Sequence, residues 1–261
     1  MKILLSTTSH AAIIAATDDT GGRRTAAALP VILESDSSPV REQAVALRET
    51  ATTFATEAAN IVATYTPNAR IGQLRSLAAR TIAKPVQRLI EAGQAEARAI
   101  AAAWARLIAV PVADATTAML RQSDRTTFAS LAIGDKAAWV ERANVDQLSA
   151  IIEAGRDRAN VTPEIWDRSE QRYAALNFVR IAGTTADHAR QPTVDEPLAT
   201  GVDMDAAERA ANEGLDRHRQ RAEIIDAVEQ AVQGITNVVA LTGEMDARAA
   251  FDLLTTGKVP A

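Results

Sequence analysis

Between Pro39 and Tyr65 the large apolar residues return every seven positions, at Val40, Leu47, Phe54 and Ile61. A second series, Ala44, Ala51, Ala58 and Tyr65, follows four residues behind the first. Spacings that alternate four and three lay both series along one stripe of a helix, the seam by which a helix packs on another. Alanine at three of the four positions in the second series predicts a close partner, with axes roughly 8 Å apart. The ends agree with a long helix. Ser38 suits the N-cap, Pro39 the first helical position and Glu42 the first turn, and Pro67 bars continuation.

The next stretch keeps the same character. Asn68 is a suitable cap for a second long helix reaching about Val110. Its apolar residues (Ile71, Leu74, Ala78, Ile82, Val86, Leu89, Gly93, Ile100, Trp104 and Leu107) follow a period close to 3.6. Pro85 lies inside this run and predicts a kink. The short connection between the two helices predicts a long antiparallel hairpin over residues 36–110.

Residues 111–183 read as a bundle of shorter helices. Asp114 caps Ala115–Arg121, Asp124 caps Arg125–Ile133, and Asp135 caps Lys136–Ala143. Asn144 with Gln147 forms a capping box for Val145–Ala154, ended by Gly155. Thr162, Pro163 and Glu164 open a helix to Ala182 whose Trp166, Tyr173, Leu176 and Val179 share a face, with Trp139 and Trp166 in one core. Residues 184–202 hold two prolines and no periodicity, a linker or surface loop. Residues 203–261 carry a long C-terminal helix to Leu241, seamed by Ile225, Val228, Val232, Ile235 and Val239. A closing helix follows, anchored by Phe251, Leu253 and Leu254.

Residues 1–35 support two readings, an irregular arm or a small subdomain. In the second, Lys2–Leu5 pairs with Val31–Leu33, and Ser9 caps a helix over Ala11–Thr17. The expected fold is therefore all-α: a long antiparallel hairpin, a short-helix bundle and a long C-terminal helix, with a small β element near the N-terminus in the second reading.

Composition narrows the function. Aromatics are 3% of the chain while apolar residues are 47%, so alanine supplies much of the core, and many long helices are needed to add up its small burial gains. With no cysteine there is no disulfide scaffold and no thiolate metal site. A net charge of -5 is no footprint for nucleic acid. The apolar start at Ile3–Leu5 is broken by Ser6–His10 with no cleavage signal, and no segment is long enough to span a bilayer, so a soluble protein without a membrane partner is expected. His10, His188 and His218 lack metal-ligand spacing, no serine sits in a glycine-flanked elbow, and Gly21-Gly22-Arg23-Arg24-Thr25 reads as a turn, not a phosphate loop. No catalytic residue, metal or cofactor is expected.

One charge pattern stands apart. Arg70, Arg80, Lys84 and Arg88 fall within about 80° of helix arc, in a run from Ala58 to Ile90 that has no acid. This basic stripe suits an acidic partner or a neighbouring copy, and nucleic acid less well, since no aromatic or glycine-rich readout accompanies it. The expectation is a non-enzymatic structural or assembly protein, a homo-oligomer that also contacts other structural proteins. In general character the chain is similar to the small helical accessory components of tailed bacteriophage virions: connector, neck, tail-associated or internal proteins. That resemblance implies a cytoplasmic location during assembly and the virion afterwards. The alternative is a helical regulatory or nucleic-acid-binding protein.

Overall fold

The structure, a computed structural model, describes residues 1–182, 190, 192–200 and 203–259. Among these, helix makes up most of the chain, in ten α-helices, with one 3-10 turn and a three-stranded antiparallel sheet. The chain divides into two compact units, residues 1–99 with 220–261, and residues 100–219.

The first unit begins with the sheet β1 (Lys2–Thr7), β2 (Ala11–Thr17) and β3 (Arg24–Pro30), in the order β1-β2-β3. In β2, Ala12, Ile14 and Ala16 are buried and the residues between them half-buried, the period of two that a sheet imposes. The helix expected over Ala11–Thr17 is thus a central strand. Alanine's helix preference is worth only tenths of a kcal/mol per residue, and a ladder on both sides of β2 outweighs it. Val31–Leu33 does not pair with β1. It belongs to the 3-10 turn Val31–Glu34; β1 pairs with β2 instead, and the third strand is the unforeseen run Arg24–Pro30. Pro30 is the last residue of that strand; its nitrogen points away from β2, so no bond to β2 is lost, and the Val31 N–H beyond it still donates to the His10 carbonyl, 2.8 Å.

Helix α1 (Arg41–Thr64) packs on β1, β2, the 3-10 turn and α2 (Pro67–Thr81). Its N-cap is Val40; Ser38 instead accepts the Arg41 N–H in a turn, 3.2 Å, and its hydroxyl is buried without a partner. The second helical run is divided. α2 ends at Thr81, Ile82 intervenes, and α3 (Ala83–Leu107) follows. Pro85 explains the position of the break, because it lacks the N–H that would bond the Thr81 carbonyl and its ring crowds that same oxygen.

The last long helix, α9 (Met204–Thr242), supplies residues to both units, as does α3. In the first unit its Ile224, Ala227, Val228, Ala231, Val232, Ile235, Val238 and Val239 are buried, a band wider than the four-three seam, in one core with α1, α2 and the sheet. α9 ends in a Schellman arrangement: the Met245 N–H donates to the Ala240 carbonyl, 3.0 Å, and the Glu244 N–H to that of Leu241, 3.4 Å. Helix α10 (Ala247–Thr256) is capped by Asp246 and buries Leu253 and Leu254. Phe251, expected as a third anchor, is exposed, since it falls on the flank of the face that buries Ala250, Leu253 and Leu254.

The second unit holds α4 (Ala115–Ser130), α5 (Ile133–Arg142), α6 (Val145–Ala154), α7 (Arg156–Ala159) and α8 (Pro163–Ala182). Asp114 caps α4 through the Thr117 N–H, 2.7 Å, and the Asn144–Gln147 capping box opens α6. Asp124 caps nothing, because α4 runs straight through it. Ala132, not Asp135, stands at the N-cap of α5. Trp139 and Trp166 both pack on the core of Phe128, Val140, Leu148, Ile151 and Tyr173. Two buried groups of α8 receive the end of α3: the Asn177 amide donates to the Leu107 carbonyl, 2.6 Å, and the Tyr173 hydroxyl to that of Ala109, 3.1 Å. Of the expected linker, residues 184–189, 191, 201 and 202, with His188, lie outside the described residues. Residue 190 and residues 192–200 form neither helix nor strand.

Candidate functional site

The seam residues of α1 lie where the periodicity puts them, with one exception. Val40, Ala44, Leu47, Ala51, Phe54 and Ala58 are buried, Ile61 is half-buried against the same core, and Tyr65 is exposed. Tyr65 already lies past the last helical residue, so its side chain leaves the stripe. The buried face meets a sheet as well as a helix. Small residues make a second close approach on α9, where Gly234 sits over Ala27 of β3; a β-carbon built at Gly234 would stand 2.9 Å from the Ala27 α-carbon. On α3, Gly93 leaves room for Val228 of α9 in the same way.

The four cations of the stripe do not share one environment. Arg70 is buried and pairs with Asp19 of the loop between β2 and β3. Arg80 is exposed and pairs with Glu57, 3.0 Å. Lys84 and Arg88 are exposed and make no ion pair among the described residues. Arg75, on another side of α2, is committed to the end of α9: its Nε donates to the Gly243 carbonyl, 2.8 Å, and an Nη to that of Glu244, 3.3 Å. The continuous cationic surface thus reduces to two side chains on the first turns of α3.

Elsewhere, the sheet carries exposed apolar groups. On its outer face Leu4, Ala15 and Ala26 form one cross-strand row and Ser6, Ile13 and Ala28 the next, with Leu4, Ala26 and Ala28 exposed. The edge of β1 is also open. The Thr8 N–H donates to the Ala11 carbonyl at the hairpin, 2.9 Å, so alternation commits Ser6, Leu4 and Lys2 to β2 and turns the N–H and C=O groups of Ile3, Leu5 and Thr7 outward. No strand among the described residues pairs with that edge. A strand edge of this kind is a template for another strand. Lys2 is its one charged side chain. The β-prone run is legible in the sequence but its exposure is not, because exposure depends on which side α1 covers.

Comparison with protein-family models, with curated proteins and with solved structures finds no match.

The remaining polar chemistry lies in the second unit. A cavity of about 500 Å³ is bounded by α4, α6 and α7 and takes in Arg125, Glu153 and Arg158. Beside it, Lys136 is buried under the Phe128 ring, 5.2 Å from its centre, and donates to the Asn160 carbonyl, 2.9 Å, closing the end of α7. Burial pushes the Asp124 carboxyl above the usual aspartate range, and the nearby charge of Asp146 adds to it. Among the described residues no three His, Cys, Asp or Glu side chains converge as a metal site would require, and no helix is long and apolar enough to cross a membrane.

Proposed function

We propose that this chain is a non-enzymatic structural or assembly protein that works as a homo-oligomer within a larger particle, as a bacteriophage virion component of the connector, neck, tail-associated or internal kind. The observation that carries the reading is the sheet edge: β1 offers the outward backbone groups of Ile3, Leu5 and Thr7 beside the exposed Leu4. An antiparallel edge is self-complementary, so the same strand of a second copy satisfies it about a two-fold axis. Centred on Leu5, that pairing sets Lys2 opposite Thr8 of the other copy and so avoids a like-charge contact. In this reading α1 and α2, which pack on each other, would contribute the helical body of such a part. Its partners in this reading are further copies and other structural proteins, met in the cytoplasm during assembly.

Light scattering after size exclusion, at micromolar concentration, tests the reading. The expected mass is a multiple of 27.7 kDa, falling towards the single-chain value in Leu4→Lys, which sets a charge beside the edge. A compact wild-type particle of 27.7 kDa contradicts it.

A further inference from the structure

We propose that the cavity between α4, α6 and α7 is a binding site for a small organic phosphate, a ligand pairing a dianionic head with an apolar body. The inference rests on charge and shape in the second unit alone and does not depend on the assembly reading. Arg125 and Arg158 line the cavity, and Glu153 is its one acidic lining residue. That carboxylate is already shared: Arg125 donates to it through Nη2, and Arg121 approaches it through Nη1 at 3.4 Å. Arg121 is 5% exposed, and its Nε is buried with no hydrogen-bond partner. Arg158 is exposed and forms no ion pair among the described residues.

Three guanidiniums therefore stand against one carboxylate, a surplus of two positive charges, which a phosphate monoester near pH 7 carries with opposite sign. Concentrating like charge this way is unfavourable in the empty protein and becomes favourable when an anion arrives. The planar fork of Arg158 suits two phosphate oxygens at once, and the amide of Gln122 adds a donor on the neighbouring wall. The other walls are apolar: Phe128 with Ala129, Ile151 and Ala154. At about 500 Å³ the space exceeds what a bare phosphate fills and lies within the range of small-molecule sites.

Isothermal titration of the full chain with phenyl phosphate, and in parallel with inorganic phosphate, at constant ionic strength decides the matter. The expected result is saturable one-to-one binding of phenyl phosphate with a Kd below roughly 1 mM, at least tenfold tighter than inorganic phosphate. Arg158→Glu is expected to weaken it tenfold or more. Arg168→Glu, which reverses an exposed arginine paired with Glu141 away from this cavity, is expected to leave it unchanged. Arg158→Gln serves as a second variant should charge reversal disturb folding, with circular dichroism confirming helix content in each. No saturable binding of phenyl phosphate, or binding undiminished in both Arg158 variants, overturns the proposal.

Discussion

Gly234 of α9 lies directly against Ala27 of β3, so close that the first carbon of any side chain at Gly234 would meet the Ala27 α-carbon at 2.9 Å and its β-carbon at 3.2 Å. Helix backbone and strand backbone approach each other here because neither residue carries bulk. Along α1, Ala44, Ala51 and Ala58 are likewise small residues buried between larger ones. A core poor in aromatics compensates for small buried area per residue by bringing long elements close enough for their backbones to share the packing.

Arg75 ties the end of α9 to α2 with two donors on the Gly243 and Glu244 carbonyls. Arg75→Met keeps the aliphatic stem and removes both. Because Gly243 is buried, its carbonyl is left without a partner, and a loss of about 1–3 kcal/mol is expected in urea unfolding. Arg75→Lys is expected to recover part of that loss.

Glu244 holds a left-handed backbone conformation, φ 46, at the position where a Schellman cap favours glycine. The glycine beside it, Gly243, answers a different need: a β-carbon there would lie 2.5 Å from Met245 and 3.2 Å from the Arg75 stem. Glu244 is exposed, so Glu244→Gly is expected to relieve the backbone strain at little other cost, with a gain of about 0.5–1 kcal/mol in the same assay.

What the sequence made legible was whatever depends on local pattern. The Asn144 capping box and the start of α8 at Pro163 are written in cap chemistry and stand as read. Along the α1 stripe the spacing of four and three marks the buried residues from Val40 to Ala58 but not Tyr65, which lies past the helix end. A small β element near the N-terminus and the β-prone run Lys2–Leu5 were legible. The pairing was not, because Ala11–Thr17 is alanine-rich and its strand character comes from partners such as Leu4 and Ala26, which only the fold aligns with Ala15. Asp124 misled for a related reason: it has the chemistry of a cap, but α4 has no interruption for it to cap. The cavity of Arg125 and Arg158 left no local trace, since its walls come from three helices.

Asp124 also gives a pH prediction. Its pKa is raised in the fold, so between the ordinary aspartate value and the raised one the folded state holds more protons than the unfolded state. Stability therefore falls as pH climbs through that window and stays lower above it. Asp124→Asn is expected to raise the thermal midpoint at pH 7, with the advantage shrinking as pH drops to the ordinary aspartate range. Thermal scans at both pH values check it.

Close approach through small residues is tested most directly by a pair of substitutions followed in urea unfolding, Gly234→Ala and Gly72→Ala. Both glycines are helical, and helix preference alone favours alanine in each by about 1 kcal/mol. Nothing stands within 4 Å of a β-carbon at Gly72, whereas one at Gly234 meets strand backbone, which cannot rotate aside, at a cost of about 1–3 kcal/mol. The account predicts that Gly72→Ala stabilises the protein and Gly234→Ala destabilises it. Equal stabilisation by both would contradict it.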